Sequence, residues 1–272
     1  MPKILFPTLK LRNVRLGGDF FDYHWLDENR LRLYLMDAAG HGLRAALFSV
    51  SVQNFIKSFS LANQTVDLCD PSQVLQLVND SFQMADHHDQ YVTLWYGIFD
   101  RRTQQLTYSS AGHPPAILIS PQVYQQLPAT GIPIGVLKTT PFPSQTYTVR
   151  PGSSLNIFSD GIYELVNLSA NANEREQGVG DTGAIAAVTD PDPSSDPSAS
   201  NSDGGNWPEV PVEPGSAPKI YGLSRFLDLL HIFDTKSNTP LTWLPQEVLH
   251  QTGQQHFPDD CSLVQVQFDS WL

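Results

Sequence analysis

Five strand-like segments follow one another between residues 91 and 160, and no helical pattern interrupts them. The first two, YVTLWYGIFD and LTYSSAG, flank the turn-like RRTQQ and predict a hairpin. Helical patterns are instead grouped at residues 43–59 and 71–85 before these strands, and at 221–233 and 244–253 after them. This grouping favours an α+β fold with layered, mainly antiparallel sheets over a doubly wound parallel sheet.

Apolar periodicity indicates which faces of the other elements are buried. Leu31, Leu33 and Leu35 alternate in RLRLYLMD as in a strand, and CSLVQVQF predicts the last strand of the chain. The second helix has Pro71 and Ser72 as opening residues. Two further helices have predicted buried faces, which are Ala46, Leu47, Val50, Asn54 and Phe55 in the first and Leu223, Phe226, Leu227 and Leu230 in the other.

A long acidic segment separates the strands from the last two helices. Residues 171–218 are rich in Pro, Ser, Gly and Asp and contain nine acidic residues against one basic residue, Arg175. Such a composition buries too little apolar surface to offset the entropy of ordering, so we expect a disordered insertion at about 171–218. The rest of the 272 residues can then form one domain spanning 1–272.

Charge and composition exclude several classes of protein. A net charge of −12 argues against a nucleic-acid-binding protein, which needs a basic face for the phosphates. No apolar run approaches the roughly 18 residues of a membrane span, and the start lacks the features of a secretory signal, so we expect a cytoplasmic protein without a membrane partner. Cys69 and Cys261 lie far apart and fit reduced, partly buried residues.

Acidic residues recur at strand edges beside small or turn-forming residues. The four segments are GGDFFD, LYLMDAAGHG, FSDGIYE and FPDDCSL, and their aspartates are Asp19, Asp22, Asp37, Asp160, Asp259 and Asp260. A single aspartate in such a place is usually a turn or capping residue. Four such segments can instead hold a cation together, provided that the fold brings them close.

These four segments, together with SAGHPPAIL and TGIPIGV, resemble the motifs of the bacterial SpoIIE-like branch of the PPM-type, metal-dependent serine/threonine phosphatases. Six motifs occur in the same order, from about Gly17 to Phe268, and the acidic insertion is the main interruption. The resemblance implies a single PPM-type catalytic domain over 1–272. Its fold would be a layered α-β-β-α sandwich, with two antiparallel sheets packed face to face and helices outside.

The resemblance also implies a site, residue by residue. Asp37 matches the aspartate that bridges two metal ions, and Ala38 matches the position whose backbone carbonyl faces one of them. Asp160 and Asp259 match the remaining metal carboxylates. Asp19 matches a carboxylate that acts mainly through metal-bound water. The implied catalytic residues are therefore Asp19 and Asp37.

The chemistry of clustered carboxylates independently predicts a cation. Three or four gathered carboxylates repel one another, and one is driven to hold a proton unless a cation is present. Oxygen ligands suit Mn²⁺ or Mg²⁺, whereas zinc prefers a histidine and cysteine cluster that this sequence lacks. Two such ions neutralise a phosphate and lower the pKa of bound water. No other cofactor is expected.

The implied activity is hydrolysis of phosphoserine or phosphothreonine on a protein by metal-activated water. The expected partner is a phosphorylated regulatory protein, for which the resemblance suggests a STAS-type anti-sigma-factor antagonist. One alternative is a phosphatase-like binding module that sequesters a signalling partner without turnover, although Asp37, Asp160 and Asp259 are all intact. A metal-dependent nuclease is disfavoured because the chain lacks a basic stripe.

Two histidines have both a structural and a catalytic interpretation. His41 could shape the start of a helix and His113 the GHPP turn, or either could donate a proton to the leaving oxygen. The structural interpretation is favoured for both, more strongly for His113. The pair His87 and His88, followed by Asp89, is predicted to lie in a solvated loop and not to bind metal.

Overall fold

The computed structural model describes residues 8–11, 18–61, 67–120, 123–166, 220–235 and 239–268. Within these ranges ten strands form two five-stranded sheets, and all neighbouring strands are antiparallel. Sheet I has the order β1 (Thr8–Leu11), β10 (Cys261–Phe268), β9 (Ser153–Phe158), β6 (Ala116–Ser120) and β7 (Val123–Leu127). Sheet II has the order β2 (Phe20–Trp25), β3 (Arg30–Ala38), β4 (Val92–Asp100), β5 (Gln105–Ala111) and β8 (Gln145–Thr148).

Helices cover the outer face of each sheet. In the described ranges they are α1 (Leu43–Leu61), α2 (Pro71–Ser81), α3 (Gly222–Thr235) and α4 (Trp243–Thr252), with short 3₁₀ turns at Met84–Asp86 and Asp160–Ile162. The first two helices pack on sheet II and the last two on sheet I. The chain is therefore an α-β-β-α sandwich, and the predicted α+β fold with two antiparallel sheets is confirmed.

Three apolar layers hold the sandwich together. Side chains of the two sheets meet in the central layer, where Leu33, Trp95 and Leu155 are fully buried. The two outer layers join helices to sheets, with Tyr34 under α1 and α2 and Phe158 under α3 and α4. Burying one such side chain stabilises the fold by roughly 1.5–3 kcal/mol. The alternation of Leu31, Leu33 and Leu35 thus identified the inward face of β3 correctly.

The helix start at Pro71 is confirmed, and Asp70 caps it. The Asp70 carboxylate accepts hydrogen bonds from the backbone N–H of Ser72 at 3.0 Å and of Gln73 at 3.4 Å. This side chain satisfies two of the N–H groups that a helix leaves without partners in its first turn. The predicted face of α3 is also confirmed, because Phe226 and Leu230 are buried and Leu223 and Leu227 pack beside them.

The predicted buried face of α1 is only partly right. Leu47 and Val50 are 58% and 45% exposed, whereas Ala46 is buried and Phe55 packs against the core. The other residues of α1 in the layer with sheet II are Ala45, Phe48, Val52 and Ile56. Apolar residues occur on two sides of this helix, so periodicity alone does not decide between them. The shorter side chain of Ala45 allows the helix to approach the sheet beside Ala38.

Other comparisons with the sequence predictions concern the two edge strands of sheet I, the cysteines and the insertion. The strands Thr8–Leu11 and Val123–Leu127 were not predicted. Cys69 and Cys261 are both free thiols, half-buried and buried respectively, as expected. In the part of the chain that the structure describes, no helix combines the length and apolarity needed to cross a bilayer. The insertion at about 171–218 lies outside the described residues.

Candidate metal centre

The four aspartate segments meet at one end of the sandwich. Asp37 is the penultimate residue of β3, and Asp19 precedes β2 beside it, since Phe20 pairs with Met36. Asp160 follows β9 and Asp259 precedes β10, and these two strands are also neighbours. Each sheet therefore contributes two aspartates to the gap between the sheet ends. The topology brings together the four carboxylates that the sequence singled out.

Hydrogen bonds of the Gly18 backbone connect this residue to α1, to the end of β3 and to the DDC segment. The Gly18 carbonyl accepts a hydrogen bond from the Ser49 hydroxyl of α1 and one from the Ala38 N–H at 3.4 Å. The Gly18 N–H donates to the Asp260 carboxylate at 2.7 Å. A Cβ at Gly18 would lie 2.6 Å from the Ala38 carbonyl oxygen, so only glycine allows this approach.

The Asp19 carboxylate is buried beside two serines of sheet I. Asp19 is 9% exposed, and its Oδ2 accepts a hydrogen bond from the Ser159 hydroxyl at 2.7 Å. The same hydroxyl oxygen accepts the Ser262 N–H at 2.9 Å, and the Ser159 N–H donates to the Ser262 carbonyl at 3.0 Å. The site therefore has a second layer of polar groups behind its carboxylates.

A steric contact sets the position of the loop after β9. A Cβ at Gly161 would lie 1.9 Å from the backbone carbonyl oxygen of Asp260. This separation is far inside van der Waals contact, so the SDG and DDC loops can approach only because residue 161 is glycine. The close approach places Asp160 within electrostatic reach of Asp259.

Electrostatics confirm that the carboxylates influence one another. Burial raises the pKa of Asp37 to about 9, and the charges of Asp19 and Asp160 contribute in the same direction. Burial also raises the pKa of Asp19 to about 6, although hydrogen bonds from Ser262 and Ser159 lower it. The pKa of Asp160 is raised by burial and then by the charge of Asp259. A shift of this kind is the expected response of gathered carboxylates without a cation.

The donor set fits divalent cations that prefer oxygen. It contains the carboxylates of Asp37, Asp160 and Asp259 and the backbone carbonyl of Ala38. Among the described residues, no three acidic, histidine or cysteine side chains are arranged closely enough to hold an ion as they stand. A bound cation would favour the ionised form of Asp37 and offset the repulsion among the carboxylates.

A family model described as Stage II sporulation protein E (SpoIIE) matches residues 27–196, more than half of the chain. The chain belongs to the SpoIIE family. The matched range includes Asp37, Ala38 and Asp160, whereas Asp19 and Asp259 lie outside it. The resemblance inferred from the six motifs is thereby confirmed.

This SpoIIE family chain is similar to curated bacterial proteins. It is 28% identical to the phosphoserine phosphatase RsbP of Bacillus subtilis over 154 residues, which are 55% of this chain and 37% of RsbP. The chain therefore corresponds to well under half of that relative.

Two solved structures resemble its fold. The PP2C phosphatase domain of SpoIIE from Bacillus subtilis, solved with a fragment of its regulatory domain, has a TM-score of 0.65 at 15% identity, covering 98% of this chain and 62% of that one. RsbX, solved in complex with magnesium, has a TM-score of 0.55 at 16% identity, covering 99% of this chain and 100% of that one. At these identities the likeness concerns the fold.

The histidines of this SpoIIE family chain differ in their surroundings. His113 is 2% exposed, its Nδ1 lies 3.0 Å from the Pro114 carbonyl oxygen, and burial lowers its pKa to about 4. A neutral, enclosed imidazole matches the structural interpretation. His41 is exposed between Gly40 and Gly42, which both have positive φ, and its proposed acid role stays a prediction.

The loop at residues 87–89 is only partly as predicted. His88 and Asp89 are exposed. His87, however, stacks on Phe82 with ring centroids 5.2 Å apart and also lies beside Phe48. Its aromatic ring packs on the apolar layer under α1, so this residue is a packing residue rather than a solvated one.

Sequence reasoning missed the residues that support the carboxylates. Ser49, Ser159 and Ser262 were not singled out, and Asp260 was quoted only as part of a motif. Glu164 was likewise not singled out, although its pKa is raised by burial and then by Asp160 and Asp259. The available signal was a serine within two residues of an aspartate in FSDG and in DDCS. Serine is common in such turns, so this signal is weak without the fold.

Proposed function

We propose that this chain is a metal-dependent protein serine/threonine phosphatase. The observation that carries the proposal is the convergence of four carboxylates from both sheets, with the pKa of Asp37 raised to about 9. Membership of the SpoIIE family and similarity to a protein named phosphoserine phosphatase support the same activity. The centre would hold two Mn²⁺ or Mg²⁺ ions, an assignment that oxygen-only ligands support.

Each residue has a distinct role in the proposed reaction. The carboxylates of Asp37, Asp160 and Asp259 and the backbone carbonyl of Ala38 would hold the ions, with Asp37 as the carboxylate that they share. When bound, the ions would neutralise the phosphate charge and lower the pKa of a water. Asp19, whose carboxylate is held by the Ser159 hydroxyl, would hold that water through a hydrogen bond.

The proposed substrate is phosphoserine or phosphothreonine on a phosphorylated regulatory protein of the cytoplasm. A STAS-type anti-sigma-factor antagonist is the specific candidate, and the support for it is family membership and similarity to RsbP. We propose that the single domain spans residues 1–272, with the insertion at about 171–218 as a mobile loop.

The test is release of inorganic phosphate from a phosphorylated STAS-domain protein in the presence of Mn²⁺. We expect multiple turnovers from the wild-type chain and a loss of orders of magnitude in Asp37→Asn. The matched control is Asp89→Asn, which makes the same chemical change at an exposed residue outside the centre. Tight binding of the phosphoprotein without turnover would favour the sequestering module instead.

A further inference from the structure

We propose that Ser159 and Ser262 form a hydroxyl pair that positions the Asp19 carboxylate and so sets the affinity of the centre for its cations. We call these two residues the serine clamp. The inference rests on the proposed metal-dependent function and assigns a role to residues outside the ligand set. Both are positioning residues because they contact Asp19 and not the cations.

The geometry of the serine clamp is compact and buried. Ser159 and Ser262 are 1% and 2% exposed, and the Ser159 hydroxyl donates to Asp19 Oδ2 at 2.7 Å. The Ser262 N–H donates to the Ser159 oxygen at 2.9 Å, which orients the Ser159 proton towards Asp19. Hydrogen bonds from the side chains of both serines lower the pKa of Asp19.

The serine clamp joins the two sheets. Ser159 comes directly after β9 and Ser262 lies in β10, so both are on the side of sheet I, whereas Asp19 comes directly before β2 of sheet II. The Ser159–Asp19 contact spans 140 residues of sequence. A carboxylate fixed by hydroxyl donors from the other side of the sandwich is held in place at the gap between the sheet ends.

Hydroxyl donors hold the Asp19 carboxylate in the gap beside Asp37, where the proposed reaction needs it to hold a water ligand of the cations. A hydrogen bond to a charged group is stronger than one between neutral groups. Mutating the hydrogen-bond partners that orient the groups around a metal ion typically reduces the affinity for the metal about 10–100-fold. We therefore expect each serine to affect the affinity for Mn²⁺ through Asp19, in addition to any effect on the stability of the fold.

The experiment measures Mn²⁺ affinity by titration calorimetry on the full chain. The variants are Ser159→Ala, Ser262→Ala and Ser159→Thr, which retains the hydroxyl. The control is Ser153→Ala. Ser153 is likewise a buried serine, but it is the first residue of β9 and lies roughly 20 Å from residue 159. We expect about tenfold or greater loss of affinity in the two alanine variants, none in Ser153→Ala, and recovery in Ser159→Thr.

The outcomes separate the serine clamp from the proposed function. If both alanine variants bind Mn²⁺ within threefold of wild type, the serine clamp is wrong and the metal centre stands. If wild type itself binds no Mn²⁺, the proposed function is wrong and the inference with it. Thermal melts of the metal-free proteins identify misfolding; should Ser159→Ala fail to fold, Ser262→Ala decides, because it leaves the backbone donor to Ser159 in place.

Discussion

Replacing Asp37 with asparagine tests whether this residue is a metal ligand or an ordinary residue at a strand end. The substitution keeps the shape of the side chain and removes its charge. In the metal-free centre, burial disfavours the ionised form of Asp37, and the charges of Asp19 and Asp160 disfavour it further. We therefore expect Asp37→Asn to lose activity by orders of magnitude while its metal-free form becomes more stable.

The size of the stabilisation follows from the raised pKa. A folded-state pKa of about 9 exceeds the ordinary aspartate value of about 3.9, so the folded protein holds a proton that the unfolded chain releases above pH 4. The corresponding stability is present below pH 4 and is lost as the pH rises towards 9, by at most about 1.4 kcal/mol for each pH unit. At pH 7 the asparagine variant, which has no proton to hold, is expected to be more stable by up to about 4 kcal/mol.

The assay compares thermal melts of both proteins in excess chelator at pH 4, 5.5 and 7. The difference in Tm should be small at pH 4 and grow with pH, by roughly 2–4 °C for each kcal/mol. The exposed control Asp89→Asn should show no such trend. A variant that melts below wild type at pH 7, or one with near-normal turnover in Mn²⁺, would refute the reasoning.

Three further predictions concern the cation, a glycine and the insertion. Phosphate release should stop in excess chelator and return on addition of Mn²⁺, and the same loss is expected in Asp160→Asn and Asp259→Asn; activity that persists in chelator contradicts the metal mechanism. Gly161→Ala forces a Cβ against the Asp260 carbonyl, so we expect a destabilisation of roughly 1–3 kcal/mol in denaturant unfolding and weaker Mn²⁺ binding; an unchanged protein would show that the contact is readily relieved. Joining residue 170 to residue 219 through a short linker should leave the Tm nearly unchanged, since closing a shorter loop changes the entropy only modestly, and a large drop in Tm would mean that the insertion packs.

Much of the fold follows from local patterns in the sequence. Alternating residues such as Leu31, Leu33 and Leu35 identify strands, and the lack of helices between residues 91 and 160 excludes parallel crossovers. The face of α1 does not follow, because apolar residues lie on both sides of the helix. Apolar periodicity identifies the buried face of a helix only when the opposite face is clearly polar. The choice between two apolar sides is made by packing against sheet II.

The candidate centre was predictable only in part. Aspartates at strand ends are visible in the sequence, and their convergence follows once the order of the motifs indicates the family. The supporting contacts are not visible, because Ser159 reaches Asp19 across 140 residues and Gly18 reaches Asp260 across 242. A serine that positions a ligand and a serine that merely fills a turn have the same local sequence. Their difference is a property of tertiary structure.

Because the candidate centre lies where two separate sheets end, a bound cation would cross-link them. Neither sheet alone carries all four carboxylates, so an intermediate with only one sheet formed could not bind the ions tightly. Cations at a thousandfold excess over their Kd would add about 4 kcal/mol to the free energy of unfolding. Occupancy of the centre would then report whether the two halves of the sandwich have docked, and loss of the cations would be coupled to their separation.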